Sequence, residues 1–182
     1  MKHEIIIAGF GGQGVLSMGK ILAYSGLLDG LEVTWMPSYG PEQRGGTANV
    51  TVILSDSMIS SPVLDTYDIA VILNQQSLDK FESHIKPGGT LIYDPYGIHR
   101  QPARTDIRCL AINATDAAVE MGNSKAYNMI LLGALLETVP MVTPDTVIKG
   151  LQKTLPERHH HLIPLNRAAI DRGALLAKEA IK

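Results

Sequence analysis

Apolar residues along this chain of 182 residues follow two spacings, one typical of strands and one typical of helices. Short runs rich in isoleucine, valine and leucine predict strands at residues 3–10, 31–37, 47–56, 67–73, 90–94 and 107–113. Helical spacing predicts helices at residues 13–28, 77–85, 114–122, 126–139, 143–155 and 165–182. Because strands alternate with helices, we expect an α/β fold. Its doubly wound, mostly parallel, Rossmann-like sheet would carry helices on both faces and a helical C-terminal third.

Helix and strand ends are marked by residues that break or cap these elements. Pro37 is expected to stop the second strand, and the segment KPGG at 86–89 to end the second helix. Thr143 is a predicted N-cap followed by Pro144 at the first helical position, and Asn123 is a predicted cap. No linker or repeat interrupts the pattern, so we expect one domain over residues 1–182.

Composition and charge exclude several classes of partner. The hydrophobic fraction is 45%, the charged fraction 19% and the net charge −2, as in an ordinary globular protein. A basic patch for nucleic acid is not expected at this charge. No apolar run approaches the roughly 20 residues that cross a bilayer. The start resembles no secretion signal, so we expect a cytoplasmic protein without membrane or nucleic-acid partners.

Candidate catalytic and metal-ligating side chains are scarce. Cys109 is the single cysteine, so this chain alone offers no cluster of thiol ligands, and we expect Cys109 in a buried strand. The consecutive residues His159–His161 point in different directions and are expected at a solvated helix end, not at a metal. Asp94 ends a strand and is expected to cap the next turn. We therefore predict no catalytic or metal residue.

The stretch from Gly9 to Gly14, read GFGGQG, fits the pattern G-x-G-x-x-G between a strand and a helix. Glycines let the backbone turn sharply, and the helix start presents N–H groups to an anion. A tight turn also needs glycine for packing, so both interpretations stay open. An NAD site would need an acid after the second strand, but Asp29 and Glu32 lie before or at its start. The loop thus suits a phosphate or a close backbone contact better than NAD.

A second glycine-rich loop lies at residues 36–50, read MPSYGPEQRGGTANV. Prolines stiffen it, and its glycines permit positive φ. We expect it beside the first loop, because both follow strands that end at one edge of the sheet. Arg44 is a candidate to bind a phosphate, a carboxylate or an acidic side chain of a partner.

Together, GFGGQGV at 9–15 and PSYGPEQRGG at 37–46 resemble the gamma subunit or gamma domain of 2-oxoacid:ferredoxin oxidoreductases. Three further segments agree: ILSD with ISSPV within 53–63, NMILLGAL at 128–135 and NRAAIDRG at 166–173. The resemblance marks a set of cofactor-binding or subunit-interface residues. They are Gly9, Gly11, Gly12, Gln13, Gly14, Ser38, Tyr39, Gly40, Glu42, Gln43, Arg44, Gly45 and Gly46.

The resemblance implies a subunit of an enzyme that oxidatively decarboxylates a 2-oxoacid to an acyl-coenzyme A. In that family, thiamine diphosphate with magnesium lies between alpha and beta subunits, and iron–sulfur clusters on beta or delta pass electrons to ferredoxin. This chain would bind no cofactor alone and be inactive alone, although in some members the gamma part helps to close the coenzyme A path. Isolated chains would expose a docking surface and self-associate.

Two alternatives stay open from the sequence. Besides the gamma subunit, these are a free-standing nucleotide- or coenzyme A-binding protein that uses Gly9–Gly14, and the beta subunit of an indolepyruvate oxidoreductase with the same loops. The 2-oxoacid is not readable, because its pocket would lie on other chains. Separate gamma chains occur in 2-oxoglutarate and 2-oxoisovalerate complexes, which favours those substrates over pyruvate.

Overall fold

A computed structural model describes residues 1–41 and 45–182 of the chain. Its strands are β1 (Lys2–Phe10), β2 (Glu32–Tyr39), β3 (Thr47–Ser55), β4 (Tyr67–Ile72), β5 (Ile85–Tyr93) and β6 (Arg108–Ala111). Its α-helices are α1 (Val15–Leu28), α2 (Gln75–Phe81), α3 (Ala114–Glu120), α4 (Tyr127–Thr138), α5 (Pro144–Thr154) and α6 (Ile163–Ile181). Short 3₁₀ turns cover Glu82–His84, Pro95–Gly97, Ser124–Ala126 and Glu157–Leu162.

The described strands form one sheet in the order β2-β3-β1-β4-β5-β6. Neighbours β1, β4, β5 and β6 are parallel, whereas β3 runs antiparallel to both β1 and β2. The predicted mostly parallel α/β fold is therefore confirmed, with β3 as the reversed strand. Pairing of Phe10 with Thr47, and of Tyr39 with Ala48, brings the ends of β1 and β2 to the start of β3.

Alternation along the strands builds an apolar layer on each face of the sheet. In β1, Ile5 and Ile7 point to one face while Ile6 and Ala8 point to the other, and all four are fully buried. The first face is covered by α1 and by the helices of the C-terminal third, and the second by α2. Helices thus lie on both faces, and the helical C-terminal third covers one of them, as predicted.

Two glycines set the close crossing of α4 and α6. A Cβ atom at Gly133 would overlap the backbone of Ile170, and one at Gly173 would overlap the carbonyl of Ile130. The two helices therefore approach backbone to backbone. The segments NMILLGAL and NRAAIDRG, on which the resemblance partly rests, carry these two glycines.

Several predicted boundaries are wrong. Pro37 does not stop β2, which continues to Tyr39, because an edge strand tolerates a residue without an N–H group. The KPGG segment belongs to β5, while α2 ends earlier at Phe81 and a 3₁₀ turn follows it.

Cys109 is exposed, although a buried position was expected. It lies on β6, the other edge strand, on the sheet face opposite to its buried neighbour Leu110. Protein atoms still shield part of the sulfur from water, and this partial desolvation raises the pKa of the Cys109 thiol. Two predicted caps are confirmed: Thr143 accepts from the Thr146 N–H at 3.1 Å, and Asn123 accepts from the Lys125 N–H at 3.1 Å.

Within the described residues, no helix combines the length and the hydropathy needed to cross a bilayer.

Candidate functional site

The two glycine loops meet at the carboxyl edge of the sheet. The Gly11 N–H donates to the Gly46 carbonyl at 2.8 Å, and the Gly45 N–H donates to the Gly11 carbonyl at 3.4 Å. These bonds continue the β1–β3 ladder beyond the strand ends. The loops are therefore one hydrogen-bonded unit. Glu42, Gln43 and Arg44, which were predicted to contribute to it, lie outside the described residues.

The glycines of the first loop serve different purposes. At Gly12 φ is +94° and a Cβ atom would meet no described residue within 4 Å, so on that side the backbone is open to an approaching group. At Gly14 φ is +78°, and a Cβ atom would overlap the amide of Asn128 on α4. At Gly9 a Cβ atom would lie 2.5 Å from Oε1 of Gln13. Packing therefore explains Gly9, and an open cradle remains at Gly12.

Gln13 is turned into the loop. Its Oε1 accepts from the Phe10 N–H at 2.6 Å, and its own N–H donates to the Phe10 carbonyl at 3.1 Å. The hydroxyl of Tyr127, at the start of α4, donates to the Gln13 carbonyl at 2.8 Å. Burial, with a smaller effect from the charge of Asp94, raises the pKa of Tyr127 well above its usual range. The phenol is therefore a donor at physiological pH.

A first cleft of about 620 Å³ opens between the first loop and the β2–β3 hairpin. Its walls are mostly apolar, and Trp35 and Tyr39 from β2 remain 39% and 57% exposed. The start of α1 forms its floor, where free N–H groups and the helix dipole favour a negative group. The lining residues are Phe10, Gly11, Gly12, Gly14, Val15, Leu16, Ser17, Trp35, Pro37, Tyr39 and Ala48.

A second cleft of about 450 Å³ lies on the other side of the first loop, between the ends of β1, β4 and β5. This is the switch point of the sheet, where doubly wound folds bind ligands. Its wall includes two buried polar side chains, Asn74 and Asp94. It is lined by Phe10, Gly12, Gln13, Leu73, Asn74, Asp94, Tyr96, Gly97, His99, Thr115, Ser124 and Tyr127.

Asp94 caps two elements at once, as the prediction of a capping role requires. Its carboxylate accepts from the Tyr96 N–H at 3.1 Å and from the Thr115 N–H at 3.0 Å, and it also binds the Thr115 hydroxyl. Asn74 caps α2 by accepting from the Ser77 N–H at 2.8 Å, and its Nδ2 has no partner within the described residues. Sequence reasoning missed Asn74, although its place directly after the predicted strand 67–73 was a usable signal.

The remaining predicted site residues divide between the clefts and the hairpin. Tyr39 lines the first cleft, whereas Ser38 alternates to the opposite face of β2. Gly40 donates its N–H to the Thr47 carbonyl at 3.3 Å and so closes the base of the hairpin turn. Trp35, the single tryptophan of the chain, was missed because strand periodicity alone does not reveal which strand lies at an edge.

No group of three or more His, Cys, Asp or Glu side chains is placed to hold a metal ion within residues 1–41 and 45–182. The three consecutive histidines lie in the 3₁₀ turn Glu157–Leu162, before α6, where a solvated helix end was expected. There the ring of His160 bonds to the Leu155 carbonyl at 2.9 Å.

Comparison with known proteins gives one consistent family. The family model described as pyruvate ferredoxin/flavodoxin oxidoreductase matches residues 4–176. Ketoisovalerate oxidoreductase subunit VorA of Methanothermobacter thermautotrophicus is 35% identical over 179 residues, which cover 98% of this chain and 37% of that protein. The chain thus spans little more than a third of this relative.

Two solved structures share the fold. The gamma subunit of a keto/oxoacid ferredoxin oxidoreductase from Geobacter sulfurreducens has a TM-score of 0.82 and 30% identity, covering 98% of this chain and 99% of that one. A 2-oxoglutarate:ferredoxin oxidoreductase from Magnetococcus marinus, with 2-oxoglutarate, coenzyme A and succinyl-CoA bound, has a TM-score of 0.88 and 28% identity, covering 98% of this chain and 31% of that one. The family match, together with the paired glycine loops, shows that this chain belongs to the pyruvate ferredoxin/flavodoxin oxidoreductase family.

Proposed function

We propose that the chain is the gamma part of a 2-oxoacid:ferredoxin oxidoreductase, one gamma domain over residues 1–182. The complex oxidatively decarboxylates a 2-oxoacid, transfers the acyl group to coenzyme A and passes the electrons to ferredoxin. The observation that carries the proposal is the family match over residues 4–176 on a chain whose two glycine loops form one unit at the sheet edge. We place the protein in the cytoplasm.

In this proposal the chemistry is housed on other polypeptides. Thiamine diphosphate with magnesium, and the iron–sulfur clusters, belong to alpha and beta partners and to a delta partner where one exists. This chain supplies a surface for them. Its exposed aromatic side chains, Trp35 and Tyr39, suit a partner that removes them from water.

Coenzyme A fits the surroundings of the first loop. Gly12 offers an open backbone, and the start of α1 offers N–H groups to a phosphate, while the adjacent cleft of about 620 Å³ has an apolar wall. The protein's own part is then to bind and orient the cosubstrate. The relative from Methanothermobacter is named for ketoisovalerate and the structure from Magnetococcus for 2-oxoglutarate. We propose one of these two 2-oxoacids as the substrate.

An anaerobic purification of the tagged native protein tests the proposal. We expect a subunit with bound thiamine diphosphate and one with iron–sulfur clusters to copurify, and mass spectrometry identifies them. The purified complex should reduce ferredoxin only when a 2-oxoacid and coenzyme A are both added. The initial rates with 2-oxoisovalerate, 2-oxoglutarate, pyruvate and indolepyruvate then identify the substrate. Recovery of the tagged chain alone, in an extract that retains other oxidoreductase complexes, contradicts the proposal.

A second candidate function is binding of a nucleotide or coenzyme A by the chain on its own. The open cradle at Gly12 favours it. Calorimetry of the isolated chain separates the two functions, since this candidate predicts micromolar binding without partners. A Gly14 variant is a poor test, because a side chain there also overlaps Asn128. Absence of heat with coenzyme A and with adenine nucleotides rules the second function out.

A further inference from the structure

Helix α4 touches the first glycine loop at two consecutive loop residues. Tyr127 donates from its hydroxyl to the Gln13 carbonyl at 2.8 Å, and Asn128 packs its amide against Gly14. These contacts join residues that are 114 positions apart in the chain, so they are a feature of the tertiary fold. Both residues belong to the first turn of α4.

The helix that makes these contacts is firmly fixed. Met129, Ile130, Leu131 and Leu132 are buried in the core layer, and Gly133 locks α4 against α6. A side chain at the start of such a helix is presented from a rigid support. The glycine loop, in contrast, has two residues at positive φ, Gly12 and Gly14, and little side-chain packing of its own.

Gln13 forms hydrogen bonds through its backbone N–H, its backbone carbonyl and its side-chain Oε1. Its N–H and its Oε1 bind the backbone of Phe10, and its carbonyl binds Tyr127. The Oε1 position requires the absence of a side chain at Gly9. Gln13 therefore closes the loop on itself, and Tyr127 ties the closed loop to the core.

We infer that Tyr127 and Gln13 are positioning residues that hold the first glycine loop in its binding conformation. Gln13, predicted from the sequence as a binding or interface residue, thus acts inside the loop. A glycine loop that is already ordered loses less conformational entropy when it binds a ligand. The ligand of this loop is coenzyme A, a part of the inference that rests on the proposed function.

Hydrogen exchange of the full chain tests the inference without any partner or ligand. Tyr127→Phe removes only the hydroxyl, so we expect the hydrogen-bonded amides of Gly11 and Gln13 to exchange roughly fivefold faster, the effect of losing one ordinary hydrogen bond. Exchange in β1 and α6 should stay unchanged, which excludes general unfolding. Tyr24→Phe, on the exposed side of α1, is the matched control. Equal exchange of the Gly11 and Gln13 amides in wild type and Tyr127→Phe overturns the inference.

A pair of variants at Gln13 tests the second positioning residue. Gln13→Glu keeps an oxygen that can accept from the Phe10 N–H, whereas Gln13→Met keeps the length of the side chain without an acceptor. We expect the Phe10 amide to remain protected in Gln13→Glu and to exchange roughly fivefold faster in Gln13→Met. Loss of protection in both variants, or in neither, contradicts a role for this hydrogen bond.

Steady-state kinetics of the assembled complex connect the loop to its ligand. In Tyr127→Phe we expect the KM for coenzyme A to rise roughly fivefold while kcat stays unchanged, because loop order affects binding and leaves the reacting atoms in place. An unchanged KM, with exchange accelerated, overturns the assignment of coenzyme A. If the proposed function is wrong, the wild-type complex itself shows no turnover. The exchange experiments then decide by themselves whether Tyr127 and Gln13 hold the loop in place.

Discussion

At the scale of single residues, the buried carboxylates of this protein are held by hydrogen bonds. Glu82, in the turn after α2, accepts from the N–H groups of Ala103 and Arg104 and pairs with Arg100 at 2.8 Å. Burial alone would raise the pKa of this carboxyl. The bonds from Arg100 and from the two backbone N–H groups outweigh it, so the pKa of Glu82 lies below its usual range.

Replacing this carboxylate should cost stability at neutral pH. We expect Glu82→Gln to lower the free energy of unfolding by about 1 kcal/mol, because an amide replaces the charged acceptor of two N–H groups. Urea unfolding at pH 7, followed by circular dichroism, measures the change. Asp79→Asn is the matched control, because Asp79 binds the same arginine from an exposed position. An effect of Asp79→Asn equal to that of Glu82→Gln would contradict the importance of burial.

The same group makes stability depend on pH. Since the pKa of Glu82 is lower in the folded state, its ionised form stabilises the fold above the ordinary glutamate pKa of 4.5. That contribution is lost as the pH falls from 4.5 through the folded-state pKa. We therefore expect the stability difference between wild type and Glu82→Gln to shrink below pH 4.5. A difference that stays constant from pH 7 to pH 3 would show that the carboxylate's charge is not responsible.

At the scale of secondary-structure elements, the crossing of α4 and α6 depends on the absence of side chains. In an open helix, Gly→Ala stabilises by about 1 kcal/mol. Here the Cβ atom of Gly133→Ala would overlap the backbone of Ile170, and forcing such helices apart typically costs 1–3 kcal/mol. We expect Gly133→Ala to destabilise the protein by about 2 kcal/mol in urea unfolding. Gly40→Ala, whose Cβ atom would meet none of the described residues within 4 Å, should leave stability unchanged. Stabilisation by Gly133→Ala would show that the helices separate easily.

Most helices and strands were predictable from local patterns, but strand neighbours were not. The run of isoleucines at 5–7 predicted a strand, and the structure buries that strand, β1, on both faces. No local pattern reveals that β3 lies between β1 and β2, because the backbone N–H and C=O groups that pair strands are the same in every residue except proline. The wrong expectations at Pro37 and Cys109 have this cause, since both lie on edge strands.

The candidate site was predictable only in part. The meeting of the two loops followed from the positions of Gly9–Gly14 and of the second loop after their strands, and the structure joins them through Gly11 and Gly46. The inward orientation of Gln13 and its tie to Tyr127 depend on the tertiary fold, which brings α4 to the loop. No spacing in the sequence reveals a hydrogen bond across 114 residues.

At the scale of the whole molecule, the first cleft offers a direct test of assembly. Trp35 is the single tryptophan and is 39% exposed at the cleft wall. With 5-fluorotryptophan in this chain alone, we expect its ¹⁹F resonance to shift and to lose its solvent isotope effect when the proposed partner subunits, left unlabelled, are added, because the ring then leaves water. Serum albumin serves as the control protein. An unshifted resonance in a complex verified by gel filtration places the interface elsewhere.

Phe10 and Gly12 line both clefts, so the two cavities share one wall. A molecule that enters one cavity and displaces this wall changes the affinity of the other cavity for its own ligand. By thermodynamic linkage, the second ligand then changes the affinity for the first by the same factor. The wall is itself tied to the second loop through Gly11 and to the helical layer through Gln13. Cooperativity between two ligands of this protein, of either sign, would therefore need no movement of its sheet.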